Sequence, residues 1–425
     1  MTIAPSQTLA KPDVYETKQI RLTSQILHIG SSVQRLNPYE YVQTGKFLYL
    51  PDQEALAKIL RQRGVLNDYI QRIESRDEIV TLLENALGED WWMVQGETGE
   101  AIFPKVLRSL KWTNQKITDL RPMIRDGFGR HYIPGSSIKG AIRTAIAYHL
   151  LKHADKYRVP KDSRVSEIES RLRRSLGELK RKAKFADDSL FMDELFSNYG
   201  LTYQGHTART RQGPNTDIMR AVSVSDSDPL IEEKVQRGGK RPVFRNLPVV
   251  NEVIVTSRFP DYRAKYRASI YAEMVFNVRT QFTLSVDHEM LSWFRHTAGM
   301  KLPFQSVGDL LRICQEFAQE QWDLEHDYWA AVQNNPNAQG KNLDFSYIRD
   351  LYEPETCPHT LRVGWGSGMR GTTITLLMPD ELVGEIRDTC GIRAPGFEAP
   401  KSRRTVMNSK GEIRYVPGWV KFKEI

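Results

Sequence analysis

The sequence predicts an α+β fold, with strands gathered at the start, the middle and the end of the chain and helices filling the stretches between them. Three observations predict it. Residues 249–256 and 269–286 are dense in Val, Ile, Phe, Tyr and Thr and alternate in part, as in EMVFNVRTQFTLSV, which reads as antiparallel strand. Residues 307–331 place Val307, Leu310, Leu311, Cys314, Phe317 and Ala318 on one stripe, the pattern of a long helix lying on a sheet. The strands are grouped rather than interleaved one by one with helices, which argues against a regular parallel repeat.

In chain order, residues 1–13 read as a frayed end, and IRLTSQILHI at 20–29 reads as a strand stopped by Gly30-Ser31-Ser32. A second short strand falls at 46–50, after the polar stretch around Asn37-Pro38. Apolar residues then recur every three or four positions over 53–63, 66–74 and 76–87, which predicts three helices. Residues 152–184 are very basic, with Arg171, Arg173, Arg174, Lys180, Arg181, Lys182 and Lys184 among Glu167, Glu169 and Glu178. The mixed signs favour a solvated helix or an inserted arm, with an RNA-contacting arm as the alternative. NNPNAQGK at 334–341 reads as a loop, and no internal repeat is present. The expected division is 1–150, 151–248 and 249–425, the middle part being a basic insertion; a second basic insertion falls at 237–245.

A chain of 425 residues with 60 Lys+Arg against 52 Asp+Glu carries a formal charge of +8, which suits a polyanionic partner. Cys314, Cys357 and Cys390 are far apart and odd in number, which supports neither a disulfide framework nor a zinc knuckle and fits a reducing cytoplasm. No run of about 20 apolar residues is present to cross a bilayer, and residues 1–13 lack the apolar centre of a signal peptide. No membrane association and no cofactor are expected.

Two segments carry chemistry. In IPGSSIKGAIRTA at 133–145, Pro134-Gly135 makes a turn and Ser136 or Ser137 can cap a helix that sets Lys139 and Arg143 one turn apart on one face. Free N–H groups, hydroxyls and two cations at a helix start make an anion site; the plain alternative is a capped amphipathic helix facing water. In GWGSGMRG at 364–371, followed by TTITLLM, four glycines (Gly364, Gly366, Gly368 and Gly371) with Ser367 allow close backbone approach to a ligand. Arg370 adds charge and Trp365 a stacking surface. Gly366, Gly368 and Gly371 match GxGxxG, but the β-branched residues 372–375 predict a strand where a dinucleotide fingerprint needs a helix. A structural hairpin turn is the other reading.

IPGSSIKGAIRTA resembles the signature helix of the RAMP superfamily of type III CRISPR effector complexes, and GWGSGMRG resembles its C-terminal glycine-rich loop. LHIGS at 27–31 is similar to that family's N-terminal strand end. NTDIMRAVSVSD at 215–226, with Asp217 and Arg220 also readable as a simple ion pair, resembles the subunit type that caps the Csm (type III-A) assembly, as do PKSRR at 400–404 and PGWVK at 417–421. The order of these segments extends the resemblance over nearly the whole chain. It implies ferredoxin-like (RRM-like) modules with helical insertions, and partners that are CRISPR guide RNA, target RNA and other RAMP subunits. It also implies a place at the 3′ side of the guide, a requirement in guide maturation, and RNA contacts by Ser136, Ser137, Lys139, Arg143, Arg220 and the loop from Gly364 to Gly371.

Some RAMP relatives cut RNA. A metal-independent ribonuclease needs a general acid and base around a 2′-hydroxyl, for which His28 and His206, the latter in the basic loop QGHTARTR, are the candidates. Asp187, Asp188 and Asp193 read more simply as a solvated acidic turn, and nothing resembles HExxH, a P-loop or paired zinc ligands, so no metal site is expected. The non-catalytic reading is preferred, with an endoribonuclease as the alternative.

Overall fold

The computed structural model describes residues 14–75, 77–182, 188–208, 211–236, 242–389, 391–392, 394 and 397–425. β1 (Tyr15–Leu27) turns Ile20 and Leu22 into the core and alternates them with Arg21 and Thr23, the two-residue period of a strand covered on one face. β2 (Val42–Gln43) and β3 (Phe47–Tyr49) form a hairpin leading into α1 (Gln53–Gln62), whose first turn is capped by the Asp52 carboxylate accepting from Ala55 N at 3.0 Å. With α2 (Leu66–Ser75) and α3 (Val80–Leu87) it buries Leu56, Leu60, Leu83, Trp91 and Phe103 against Tyr49. The third helix starts at Val80, four residues later than the periodicity predicts, with Ile79 at its N-cap.

β4 (Arg108–Lys111), α4 (Gly135–Lys152), α5 (Ala154–Tyr157) and α6 (Val165–Lys182) follow. The basic stretch is thus a helix, and among its described side chains Arg173 pairs with Glu169 at 2.9 Å and Arg174 with Glu167 at 3.1 Å. Lys184 and Asp187 lie outside the described residues. β5 (Tyr199–Tyr203) and β6 (His206–Ala208) make a hairpin where a loop is predicted, with residues 209–210 outside the described part. β7 (Val222–Val224) precedes a second hairpin, β8 (Glu233–Val235) with β9 (Val243–Arg245), which brackets the basic insertion; its residues 237–241 are likewise outside the described part.

The longest strands are β10 (Leu247–Arg258) and β11 (Ala264–Asp287). One half of β11 pairs with β10, from Ala264↔Arg258 to Phe276↔Leu247, and the other half with β1, from Val275↔Leu27 to Asp287↔Tyr15. α7 (His288–Trp293) and β12 (Phe294–His296) lead to α8 (Val307–Ala331), which spans the predicted limits and opens on a capping box between Ser306 and Asp309. β13 (Asn335–Ala338) and β14 (Lys341–Leu343) replace the predicted loop by a hairpin turning at Gln339 and Gly340, both at positive φ. α9 (Ser346–Tyr352), β15 (Leu361–Arg362), α10 (Gly368–Thr372), α11 (Asp380–Thr389), β16 (Arg403–Met407), β17 (Ile413–Tyr415) and β18 (Trp419–Glu424) complete the chain.

Eleven of these strands form one mixed sheet in the order β15-β18-β1-β11-β10-β4-β3-β2, with β16 and β17 attached to β10 and β7 to β11; the β4–β10 pair is parallel. The fold is therefore α+β, as the grouping of elements predicts. α4 and α8 lie together on one face: Ile138, Ile142 and Ile146 share a core with Ile20, Leu22, Phe282 and Leu284, and with Leu310 and Phe317 of α8. Fully buried side chains of this size contribute roughly 1.5–3 kcal/mol each. A second core beneath Val249, Val253, Met274 and Val406 carries Trp365 at its edge. Among the described residues no helix is long and apolar enough to cross a membrane.

Candidate nucleic-acid interface

The segment at 133–145 builds α4 as predicted, but its capping differs. Pro134 is the N-cap, and Ser136 and Ser137 fall inside the first turn, so neither hydroxyl caps the helix. The Gly135 N–H donates to Asp226 Oδ1 at 2.7 Å, so a carboxylate from the 215–226 segment already meets the positive helix end. The same segment supplies Asp217, which caps Met219 N at 2.8 Å and pairs with Arg143 at 2.6 Å, not with Arg220. Arg143 also lies 3.9 Å above the Phe196 ring, so its charge is committed internally. Arg220 is exposed and donates to Asn215 O at 2.7 Å. Lys139 is different: it is half-buried, burial pushes its pKa down, and among the described residues it forms no ion pair. Ser136 is exposed one turn before it.

The loop from Gly364 to Gly371 is a clamp between chain ends. Gly364 has φ +78°, and a Cβ there would stand 2.4 Å from His28 O, the carbonyl that also accepts from Trp365 N at 2.9 Å. At Gly366 a Cβ would meet the Pro417 ring at 2.7 Å. The close approach that these two glycines allow is thus to the protein's own chain, the His28 carbonyl for Gly364 and the Pro417 ring for Gly366. Ser367 is buried and bonds Gly364 O at 2.8 Å; Gly371 is buried against Gln321, whereas Gly368 is exposed.

The strand predicted at 372–375 is absent: α10 ends at Thr372, and Thr375–Leu377 form one tight turn. Arg370 explains the difference. Its guanidinium, only 7% exposed, donates to Thr375 O, Ala399 O and Asp380, holding the segment curled. Thr373 Oγ1 caps Met369 O at 2.7 Å, a local bond that competes with a ladder. Arg370 therefore does not offer its charge to a ligand.

What the loop does present is Trp365 with two guanidiniums against its ring: Arg404 at 4.7 Å and Arg121 at 5.4 Å from the centroid. The ring is engaged by cations rather than bare. Arg121 comes from the residue bridged to Ala272 of β11, and Arg404 from β16, two positions from Val406 and hence on the same strand face. Neither guanidinium has a carboxylate partner within 4.0 Å among the described residues, and the Nε of each lacks a hydrogen-bond acceptor. Burial, and the charges of Arg121 and Arg362, push the Arg404 pKa down. Asn251, fully buried on β10 directly across Ala272, also has both side-chain amide atoms unpaired. Cations crowded together without an acid are stabilised by an incoming anion.

Sequence reasoning missed Arg121, which no motif marks, and named Arg404 only as part of a C-terminal resemblance. It also missed Phe128, 78% exposed at the end of the Arg125↔His131 bridge with the Arg130 guanidinium 4.8 Å from its ring. The signal was present in RDGFGRH, an Asp-Gly turn carrying an aromatic between arginines.

The two histidines are not brought into one site. His28 is 2% exposed, its Nδ1 lies 2.6 Å from Glu273 O, its ring meets the edge of Trp365, and burial lowers its pKa to about 4. It is a neutral packing group. His206 stands exposed on β6. Of the carboxylates, Asp193 lies in the helical segment Asp188–Ser197.

Residues 19–313 match the RAMP superfamily, and the chain belongs to it. Within that class, the chain is similar to the CRISPR system Cms protein Csm5 of Enterococcus italicus, at 28% identity over 154 residues covering 30% of this chain and 44% of that protein. It is also similar to the Csm5 of Streptococcus thermophilus, at 30% identity over 145 residues covering 32% and 39%. The matched part spans less than half of either relative. Two solved structures share the fold. One is a chain of a Csm-crRNA-target RNA ternary complex of a type III-A CRISPR-Cas system, with TM-score 0.58 and 23% identity over 96% of this chain and 100% of that one. The other is T. onnurineus Csm5, with TM-score 0.53 and 20% identity over 95% and 100%.

Proposed function

We propose that this chain is a guide-RNA-binding subunit of a type III-A CRISPR effector complex. In this reading it joins other RAMP subunits, caps the assembly near the 3′ end of the guide and takes part in guide maturation without cutting RNA itself. One observation carries the RNA-binding part: Arg121 and Arg404 converge on Trp365 with no acid paired to either among the described residues, an arrangement that favours a phosphate. Lys139 and Ser136 at the start of α4, and Phe128 beside Arg130, supply further backbone and stacking contacts. The capping position and the partners rest on likeness to Csm5 proteins and to a chain of a Csm-crRNA-target RNA complex. The non-catalytic reading is supported by His28, which is buried, engaged and neutral where a general base needs reach to a substrate.

The test is purification from the native host in mild salt, with sequencing of bound nucleic acid and identification of co-purifying proteins. Short RNAs sharing a repeat-derived tag, found together with other RAMP subunits, are the expected result. A lone protein without RNA would remove the proposal. Cleavage of guide or target RNA that His206→Ala abolishes while binding persists would favour the endoribonuclease reading.

A further inference from the structure

Away from that interface, the C-terminal end of α4 meets α8 through a group of side chains that RNA binding leaves unused. His149 lies in the last turn of α4 and His153 is its C-cap, one turn apart, so both rings project from the same side. Their centroids are 4.6 Å apart. Glu316 faces them from α8, and the two helices are locked beside this point by Tyr148 against Phe317, with centroids 5.0 Å apart. Glu316 bonds His149 Nδ1 through one oxygen and His153 Nε2 at 2.8 Å through the other. One nitrogen from each histidine and one carboxylate oxygen all lie within 4.8 Å of one another.

We propose that His149, His153 and Glu316 bind one divalent transition-metal ion of the zinc class, bridging α4 to α8. Three features support this. Two imidazoles with one carboxylate are a borderline donor set that suits zinc and its neighbours better than calcium or magnesium. Donors about 2.0–2.1 Å from a tetrahedral ion stand about 3.3 Å apart, so closing the present separations needs side-chain movements of about 1 Å. The outer shell is also in place: His149 Nε2, the nitrogen turned away from the site, lies 2.8 Å from Tyr157 Oη, a contact that fixes which ring nitrogen faces the metal.

A cleft of about 300 Å³, lined by His149, Tyr157, Glu316, Phe304 and Arg312, opens onto the cluster and leaves room for water at a fourth position. Lys152 is the competitor, with Nζ 3.1 Å from Glu316 Oε1. It has a second partner in Glu320, to which it can withdraw. The bridge would pin the far end of α4, about 15 Å along the helix axis from Lys139 at its start.

The test uses the full chain stripped with a chelator and titrated with cobalt(II), whose visible absorption reports tetrahedral binding, followed by displacement with zinc(II). One equivalent is expected, with at least about 10-fold weaker binding in His153→Ala and Glu316→Gln and about 10-fold weaker binding in Tyr157→Phe. Lys152→Met keeps every ligand and removes the competing ammonium, so it is expected to bind more tightly. Metal-free melting curves of each variant identify any folding defect, in which case Lys152→Met decides. No cobalt binding by the parent chain, equal binding by the ligand variants, or no gain in Lys152→Met would overturn the site.

Discussion

Arg403 and Arg404 are neighbours in sequence with opposite roles, and their separate removal tests the interface against the fold. As adjacent residues on β16 they point to opposite faces. Arg403 pairs with Glu325 at 2.9 Å, both side chains being 8% exposed, and lies 4.2 Å from the Tyr328 ring. Arg403→Ala strands Glu325 in the core, which typically costs about 3–5 kcal/mol. Arg362 also reaches Glu325, at 3.8 Å, which places the expected loss at about 3 kcal/mol.

For a chain of 425 residues the unfolding entropy is about 0.9 kcal/mol per degree, so the melting temperature should fall by about 3 °C. Arg404→Ala instead removes a guanidinium held among like charges, so the melting temperature should hold or rise. RNA affinity should drop by about 1.5–3 kcal/mol, roughly 10- to 150-fold, for one lost charge-assisted contact. The salt dependence on single-stranded RNA should flatten by about 0.7 in slope. Thermal melts and fluorescence anisotropy with RNA between about 50 and 200 mM salt measure both quantities. Equal loss of RNA binding in the two variants, or unfolding on loss of Arg404, would refute the division of labour.

Lys139→Gln should weaken RNA binding and leave stability within about 0.5 kcal/mol, whereas Arg143→Ala should lower stability by about 1–3 kcal/mol by stripping Asp217 of its partner; urea melts beside anisotropy separate the two. Gly364→Ala should destabilise the chain by more than about 1–2 kcal/mol, because the residue would enter left-handed backbone with its Cβ against His28 O, and a shift of the urea midpoint at constant slope checks it. The depressed pKa of His28 means that the unfolded chain binds a proton between about pH 6.5 and 4 that the folded chain refuses. Stability from this group is complete above pH 6.5 and falls as the pH drops, by about 2 kcal/mol from pH 7 to 5, and His28→Gln should flatten that part of the pH profile measured by urea unfolding.

The grouping of strands and the apolar stripe of α8 were legible because they depend on periodicity along one segment. The 335–343 hairpin was not, since its turn lies at Gln339-Gly340 and its strands are short and polar. TTITLLM was misread because β-branched residues favour strands on average, while here Arg370 gathers the carbonyls of Thr375 and Ala399 and leaves no ladder to join. The serines of α4 looked like caps because a cap in sequence is a neighbour, whereas the residue that meets Gly135 is Asp226, ninety-one positions away. The same distance hides the arginine pair: Arg121 and Arg404 meet only because β16 and the 121 bridge flank the same strands, an encounter that no local pattern encodes.

The most direct test of the RNA-binding account is ultraviolet crosslinking of the complex purified from its native host, with mass spectrometry locating each crosslinked peptide and sequencing locating its nucleotide. The account predicts crosslinks from the 3′ portion of the guide to peptides containing Trp365 and Arg404, lost in Arg121→Ala/Arg404→Ala. Crosslinks confined to other surfaces, or unchanged in that double variant, would contradict it.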